Sequence, residues 1–163
     1  VYKRQALGVP LDKIKSGLET ATPPKGRLTR MAFGEHTLID DTYNANPNSI
    51  LAAAQVLTAE TAQKILVLGD IGELGDEAVS EHGKLGAALA GLQIDHILAV
   101  GELMAHCVSC ANQVRAELAQ HFTQKHDLLD RLEQLLTVPS VVLFKGSRTA
   151  RMETLIDDLT KAK

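Results

Sequence analysis

Three polar stretches carry the side chains that could do chemistry, and each follows a short apolar run. They are DDTYNANPNS at 40–49, GDIGELG at 69–75 and KGSR at 145–148. The carboxyl ends of parallel strands lie at one edge of an α/β sheet, and the loops that leave those ends commonly bind ligands. The sequence therefore predicts one site assembled from three loops, with carboxylates, amides and cations as its functional groups.

The stretch at 40–49 begins with two adjacent carboxylates, Asp40 and Asp41, directly after an apolar run. Burying them is unfavourable unless a cation or hydrogen-bond donors meet them. Asn44 and Asn46 add amide groups, and Pro47 suits the first turn of a helix. Two interpretations stay open. A capped strand-to-helix turn would use Asp and Asn in this way, whereas the large number of polar residues favours a ligand-binding loop.

The stretch at 69–75 contains three glycines, which allow a ligand to approach the backbone closely. Asp70 and Glu73 supply carboxylates, and His82 supplies a titratable ring. The stretch matches neither the Gly-x-Gly-x-x-Gly dinucleotide pattern nor the phosphate loop that ends in Gly-Lys-Ser/Thr. A tight turn with His82 on a helix surface is the competing interpretation. A metal site from these three side chains is a third alternative, although we expect no metal site in this chain.

The stretch at 145–148 is predicted to bind an anion. Lys145 and Arg148 are cations, Ser147 has a hydroxyl, and Gly146 lets the backbone come close. A helix is predicted to begin at Arg148, so its free amide groups and its dipole would also point at a carboxylate or a phosphate.

The two cysteines, Cys107 and Cys110, have the Cys-x-x-Cys spacing that redox proteins use. Redox motifs place the first thiol at the electropositive start of a helix. Here the helix is predicted to begin at Glu102, which puts Cys107 inside it, so the pattern favours structural packing.

Short apolar runs alternate with helical patterns from residue 27 onward. Continuously apolar runs such as ILVL at 65–68 are typical of a parallel sheet that helices cover on both faces. The predicted strands are 28–33, 36–39, 64–68, 96–100, 120–123 and 140–144, and the predicted helices are 48–61, 79–92, 102–118, 127–136 and 148–159. This order predicts an α/β fold, a three-layer, doubly wound and mostly parallel Rossmann-like sheet that begins with a hairpin at Gly34.

The first 26 residues differ from the rest of the chain. Pro10 suits the start of a short amphipathic helix at 11–18, whose apolar face is too small to bury itself. The paired prolines that follow predict an extended linker. We therefore expect residues 1–26 to be the tail of a preceding domain plus a linker, and residues 27–163 to be the main domain.

Composition limits the class of protein. The chain has 163 residues, of which 45% are hydrophobic and 23% charged, as in a single globular domain. Its 17 basic and 20 acidic residues give a net charge of -3, which leaves no broad cationic surface for nucleic acid. No apolar run reaches membrane-spanning length, and residues 1–5 lack a signal peptide's apolar stretch. We expect a cytoplasmic protein that inserts into no membrane.

The three stretches, together with GRL at 26–28 and Met152-Glu153, occur in the order and spacing of the carboxyl-terminal domain of the Mur ligases. The chain resembles that family over nearly its whole length, and its Asn-Ala-Asn-Pro and Lys-Gly-Ser-Arg sequences resemble the members that add D-alanyl-D-alanine. The resemblance implies an ATP-dependent, Mg²⁺-dependent ligase of cell-wall peptidoglycan synthesis. Its substrates would be UDP-N-acetylmuramoyl-tripeptide and D-alanyl-D-alanine, joined through an acyl phosphate.

The resemblance also implies roles for single residues. Arg27 matches the family's hinge arginine, which reaches the ATP phosphates, and Asp41 matches the acidic residue of the loop that contacts the nucleotide. These two residues are the predicted catalytic pair. The predicted nucleotide contacts are Arg27, Asp41, Tyr43, Asn44, Asn46 and Pro47; the predicted substrate contacts are Lys145, Gly146, Ser147 and Arg148; and Asp70, Glu73 and His82 are predicted to support them.

The family's phosphate loop, magnesium ligands and modified lysine belong to its central ATP-binding domain, and none of those motifs occurs in this sequence. Residues 1–26 would include the tail of that domain. We therefore expect a folded but catalytically incomplete part of a ligase. The alternatives are a folylpolyglutamate synthase, which shares fold and chemistry, a plain Rossmann-like nucleotide module, and a receiver-like interaction module, which Asp70 and Lys145 match loosely.

Overall fold

The computed structural model describes residues 7–21 and 24–161 of the chain. Predictions for residues 1–6 and for the two linker residues Thr22 and Pro23 lie outside the described residues. The helices are α1 (Leu11–Glu19), α2 (Pro47–Thr58), α3 (Ala78–Ala90), α4 (Met104–Val114), α5 (Lys125–Leu135) and α6 (Glu153–Lys161). The strands are β1 (Thr29–Phe33), β2 (His36–Asp41), β3 (Gln63–Gly69), β4 (His96–Val100), β5 (Ala119–Phe122) and β6 (Ser140–Lys145).

The six strands of the described ranges form one mixed sheet in the order β1-β2-β6-β3-β4-β5. β1 and β2 are antiparallel and form the predicted hairpin, in which Gly34 has a φ of 57° that favours glycine. The other neighbouring strands are parallel. The predicted fold class, a doubly wound and mostly parallel α/β sheet, is therefore confirmed.

Helices cover both faces of the sheet, because successive residues of a strand point to opposite sides. In β3, Leu66 and Leu68 pack with α2, α3 and α4 on one face, whereas Ile65 and Val67 pack with α5 and α6 on the other. All four side chains are fully buried. The middle of the sheet is thus apolar on both sides, which leaves the loops at the strand ends as the places for polar chemistry.

The last helix differs from its prediction. Instead of one helix at 148–159, a short 3-10 turn spans Arg148–Ala150, Arg151 follows with a left-handed φ of 47°, and α6 begins only at Glu153. The left-handed residue interrupts the α-helical hydrogen bonding. The prediction that Arg148 begins an α-helix, whose amino terminus would hold an anion, is therefore wrong.

Met152 fills the crevice between the ends of β3 and β6. It is fully buried, and a Cβ added to Gly69 or Gly146 would lie 2.5 Å from its sulfur or 2.6 Å from its Cγ, respectively. Doubly wound sheets commonly bind ligands at the point where neighbouring strands connect to helices on opposite faces, as β3 and β6 do here. In this protein the buried Met152 side chain fills that point, so a ligand at the carboxyl edge of the sheet has to bind beside Met152.

α1 contributes little to the core. Ile14 is its buried residue, while Leu11 and Leu18, on the predicted apolar face, remain exposed. Among the described residues, no helix combines the length and the apolar character that crossing a membrane requires.

Gly86 allows α3 and α4 to touch. A Cβ at Gly86 would lie 2.0 Å from the backbone carbonyl oxygen of Cys107 in α4, so the substitution Gly86→Ala must move the two helices apart. We expect it to lower the free energy of unfolding by about 1–3 kcal/mol in urea denaturation. Gly17→Ala in α1 is the control, because nothing lies within 4 Å of its added Cβ. An equal loss in both variants would contradict this account of the helix contact.

Candidate functional site

The three polar stretches meet at the carboxyl edge of the sheet, where β2, β6 and β3 end side by side. Asp41 in β2 pairs in register with Lys145 in β6, and Lys145 also pairs with Leu68 in β3. The loops that follow these strands therefore start from neighbouring points. The structure thus brings together the three stretches that the sequence predicted to form one site.

Asp41 and Lys145 form a buried ion pair. The Lys145 Nζ donates to Oδ2 of Asp41 at 2.6 Å, and the two side chains are 4% and 14% exposed, respectively. The same Nζ donates to the backbone carbonyl oxygen of Asn44 at 3.1 Å. The sequence predicted that the adjacent acids need a cation or hydrogen-bond donors, but it did not identify Lys145, 104 residues away, as the partner of Asp41.

Asp40 is satisfied in a different way from its neighbour. It is buried, and its Oδ1 accepts the backbone N–H of Thr42 at 3.1 Å and the Thr42 hydroxyl at 2.6 Å. This closed turn leaves Asp40 a structural role at the end of β2. The two adjacent acids therefore differ in function, and Asp41 is the one that reaches other parts of the site.

Asp41 also holds the segment Gly26-Arg27-Leu28. Its Oδ1 accepts the Leu28 N–H at 3.2 Å, and the Gly26 carbonyl accepts the Tyr43 N–H at 3.0 Å. Gly26 and Leu28 have φ values of 76° and 48°, a region that is unfavourable for a branched side chain such as that of Leu28. The Arg27 guanidinium lies 4.4 Å from the centre of the Tyr43 ring, a cation–π contact.

Asn46 and Pro47 start α2, so the capping interpretation of this loop is correct for these two residues. The Asn46 Oδ1 accepts the Ser49 N–H at 2.8 Å, the Ser49 Oγ accepts the Asn46 N–H at 3.0 Å, and Pro47 is the first helical residue. Asn44 differs, because its side-chain nitrogen has no hydrogen-bond partner among the described residues. Asn44 therefore has a free amide beside Lys145.

Asp70 joins the glycine-rich loop to two other elements. Its Oδ1 accepts the Met104 N–H at 2.9 Å, at the start of α4, and its backbone carbonyl accepts the Ser147 N–H at 3.0 Å. The side chain packs against Gly101, where an added Cβ would lie 2.4 Å from the carboxylate. Asp70 is therefore a structural link between the loops after β3, β4 and β6.

His82, in α3, holds the glycine-rich loop through a hydrogen bond to its backbone. Its Nε2 accepts the Ile71 N–H at 3.1 Å, and its Nδ1 donates to the Ala78 carbonyl at 2.7 Å, which requires the neutral ring with the proton on Nδ1. His82 is fully buried. The interpretation that placed it on a helix surface is wrong, because the loop folds back over α3 and covers it.

Glu73 is the exposed carboxylate of the same loop. It has a left-handed φ of 62°, and its carboxylate makes no hydrogen bond or ion pair with any described residue. It borders a cavity of about 350 Å³ whose other polar walls are Asn44, Asn46, Ser147, Arg148 and Thr149. This cavity presents a carboxylate on one side and a cation with hydroxyls on the other.

Ser147 and Arg148 line that cavity with different accessibility. Ser147 is buried, and its hydroxyl forms a hydrogen bond with that of Thr149 at 3.0 Å. Arg148 is exposed and donates to Glu153 at 3.1 Å, so its guanidinium keeps further N–H groups toward solvent.

A second cleft, of about 490 Å³, lies between Arg27 and Asn46 and reaches Asp41 and Lys145 at its base.

The described side chains do not fit a metal ion. No group of three or more His, Cys, Asp or Glu residues within 7–21 and 24–161 is arranged to hold one. Both ring nitrogens of His82 and Oδ1 of Asp70 are already bonded to backbone groups, so the arrangement of Asp70, Glu73 and His82 does not support the metal alternative. Magnesium ligands cannot be assigned to these three residues.

The cysteines are both free. α4 begins at Met104 rather than at the predicted Glu102, so Cys107 is its fourth residue and lies nearer the helix start than predicted. Burial, with a smaller effect from Cys110, raises the pKa of the Cys107 thiol to about 12. A thiol with so high a pKa is almost entirely protonated near neutral pH and is a poor nucleophile. This agrees with structural packing rather than redox chemistry.

Comparison with known proteins gives consistent results. Residues 26–148 match the family described as Mur ligase, glutamate ligase domain. The UDP-N-acetylmuramoyl-tripeptide–D-alanyl-D-alanine ligase of Escherichia coli is 39% identical over 93% of this chain and 33% of its own length, and that of Buchnera aphidicola from Acyrthosiphon pisum is 33% identical over 96% and 34%. A crystal structure of MurF from Acinetobacter baumannii superposes with a TM-score of 0.85 at 42% identity, over 97% of this chain and 35% of that one. The chain spans about a third of the length of these relatives.

His82→Ala should loosen the glycine-rich loop, because the substitution removes the acceptor of the buried Ile71 N–H. We expect the free energy of unfolding to fall by about 1–3 kcal/mol, with faster amide exchange at Ile71 measured by NMR. His106→Ala, on the exposed side of α4, is the matched control and should change stability by less than about 0.5 kcal/mol. Unchanged exchange at Ile71 would show that His82 does not hold the loop.

Proposed function

The chain belongs to the Mur ligase family, in its glutamate ligase domain, and we propose that it is the carboxyl-terminal domain of an ATP-dependent ligase that adds D-alanyl-D-alanine to UDP-N-acetylmuramoyl-tripeptide. Several relatives that match almost the whole chain carry that name. The supporting observation in the molecule is the pair of clefts at one sheet edge, because they place a hinge arginine beside a cavity suited to a zwitterion.

The reaction would proceed in two steps. The tripeptide carboxylate attacks the γ-phosphorus of ATP, so that a new P–O bond forms and ADP leaves. The amine of D-alanyl-D-alanine then attacks the acyl carbon, a C–N bond forms, and phosphate leaves as the amine gives up a proton. Such chemistry depends on positioning and on neutralising phosphate charge.

The nucleotide side of the site is assigned to the cleft of 490 Å³. Arg27 is exposed, and its stacking on Tyr43 pre-orients the guanidinium. A guanidinium donates to two oxygens at once, which suits phosphate. We therefore propose that Arg27 reaches the ATP phosphates, that the free amide of Asn44 lies against the nucleotide, and that Asn46 and Pro47 shape the wall.

The dipeptide side is assigned to the cavity of 350 Å³. D-Alanyl-D-alanine carries an amine at one end and a carboxylate at the other. We propose that Ser147 and Arg148 receive the carboxylate and that Glu73, which has no partner of its own among the described residues, faces the amine. Gly146 matters indirectly, since Met152 packs against its Cα, and Asp70 and His82 support the loop.

ATP and Mg²⁺ would be held mainly by other parts of the ligase. The phosphate-loop motif is absent from this sequence, and we propose that a central ATP-binding domain supplies it together with the magnesium ligands. Mg²⁺ would neutralise the charge that develops on the transferred phosphate. A reaction of this kind uses the cytoplasmic pool of ATP, so we propose a cytoplasmic location.

Arg27→Ala, made in the full ligase that carries this chain, tests the nucleotide assignment. Loss of a cation on the transferred phosphate should lower kcat by about 100-fold or more, measured as phosphate release with ATP, the UDP-linked tripeptide and D-alanyl-D-alanine. Arg30→Ala is the control, because Arg30 lies three residues away and pairs with Glu60 at 2.8 Å outside the clefts. Equal activity of the two variants would remove Arg27 from the reaction.

The same assay tests the substrate. If the wild-type ligase released phosphate with a folate and free glutamate, and not with the UDP-linked tripeptide and D-alanyl-D-alanine, the folylpolyglutamate alternative would replace this proposal.

A further inference from the structure

Lys145 is too buried to act as a simple surface ligand. The residue is only 3% exposed, and its ammonium already donates to the Asp41 carboxylate and to the Asn44 carbonyl. An ammonium has three donors, so one N–H at most is left. A dipeptide carboxylate that displaced Asp41 from Lys145 would leave that acid buried without a counter-charge, which is strongly unfavourable. Lys145 also does not line the cavity of 350 Å³ that is assigned to the dipeptide.

The contacts of Lys145 instead lead to the segment Gly26-Arg27-Leu28, which we call the hinge. Asp41, which Lys145 holds by Oδ2, uses its Oδ1 to hold the N–H of Leu28. Leu28 has a φ of 48°, a conformation that persists in a residue with a branched side chain only where the surroundings impose it. The carboxylate of Asp41 is the hydrogen-bond partner that the structure gives to that N–H.

A second series of contacts links Lys145 to Gly26 by way of Asn44 and Tyr43. The Lys145 Nζ holds the Asn44 carbonyl, one residue after Tyr43, whose N–H bonds to the Gly26 carbonyl. Gly26 lies so close to Tyr43 that a Cβ there would be 3.0 Å from the Tyr43 nitrogen. Both neighbours of Arg27 are therefore bonded to the stretch at 41–44, which the Lys145 ammonium contacts at Asp41 and at Asn44.

We propose that Lys145 is a positioning residue: it contacts neither substrate directly and, through Asp41 and Asn44, sets the backbone on both sides of Arg27 so that the guanidinium faces the nucleotide cleft. This inference rests on the proposed function for the identity of the nucleotide, but the coupling from Lys145 to Leu28 and Tyr43 is a property of the chain itself. It reassigns Lys145 from the dipeptide side to the nucleotide side.

The coupling is tested in the chain without any ligand, by NMR amide exchange in Lys145→Met, which keeps an unbranched side chain one atom shorter and removes the charge. We expect exchange at the Leu28 and Tyr43 amides to rise about ten-fold, relative to amides of β3 such as that of Leu66, which report any general loss of stability. Lys64→Met is the matched control, since Lys64 lies in β3 of the same sheet and pairs at 3.6 Å with Asp95. It should leave Leu28 and Tyr43 unchanged. An equal rise at all amides of Lys145→Met, or none at the hinge, would overturn the proposal.

Kinetics of the full ligase then separate the two roles of Lys145. Positioning predicts that Lys145→Met lowers kcat and raises the KM for ATP together, because both effects follow when the Arg27 guanidinium no longer faces the nucleotide cleft. Direct contact with the dipeptide predicts a higher KM for D-alanyl-D-alanine with an unchanged kcat, and that result would contradict the inference. A wild-type ligase that does not use D-alanyl-D-alanine would refute the proposed function instead, while the exchange measurement would still decide whether Lys145 controls the hinge.

Discussion

The buried ion pair between Asp41 and Lys145 is the interaction on which the site depends. It joins the last residues of β2 and β6, which are also register partners in the sheet, so the backbone fixes the direction of both side chains. Removing one member of a buried pair commonly destabilises a protein by about 3–5 kcal/mol, because the other charge stays buried without a partner. Here the pair also holds the segment Gly26-Arg27-Leu28, since Asp41 accepts the Leu28 N–H.

The position of the site follows from how the rest of the edge is filled. Met152 closes the crevice between β3 and β6, against Gly69 and Gly146. The two open clefts with polar walls therefore lie toward β2, beside the segment Gly26-Arg27-Leu28 and the loop at 40–49. The glycine-rich loop, held by Asp70 and His82, forms one wall of the cavity of 350 Å³. One sheet edge thus has a closed half that belongs to the core and an open half that can accept ligands.

Local patterns in the sequence predicted the fold well, and they predicted that the three polar stretches meet at one edge of the sheet. The predicted strand at 96–100 coincides with β4, and those at 64–68 and 140–144 lie within β3 and β6, because continuous apolar runs between polar loops are a strong strand signal. The start of α2 was also close, since Asn46 and Pro47 are typical of a helix start. Such local signals act over a few residues and can be recognised without the fold.

The errors concern partners and backbone states that depend on tertiary structure. Arg151 carries no sequence signal for a left-handed conformation, so the last helix was predicted to start too early. The burial of His82 arises because the loop folds over α3, and the pairing of Lys145 with Asp41 joins residues that only the sheet brings together. The most direct test is therefore a double-mutant cycle on stability with Asp41→Asn, Lys145→Met and the double variant. If the two charges interact as an ion pair, we expect a coupling free energy of about 1–3 kcal/mol, so that the double variant loses less stability than the two single variants together. Stability losses that simply add would contradict the ion pair.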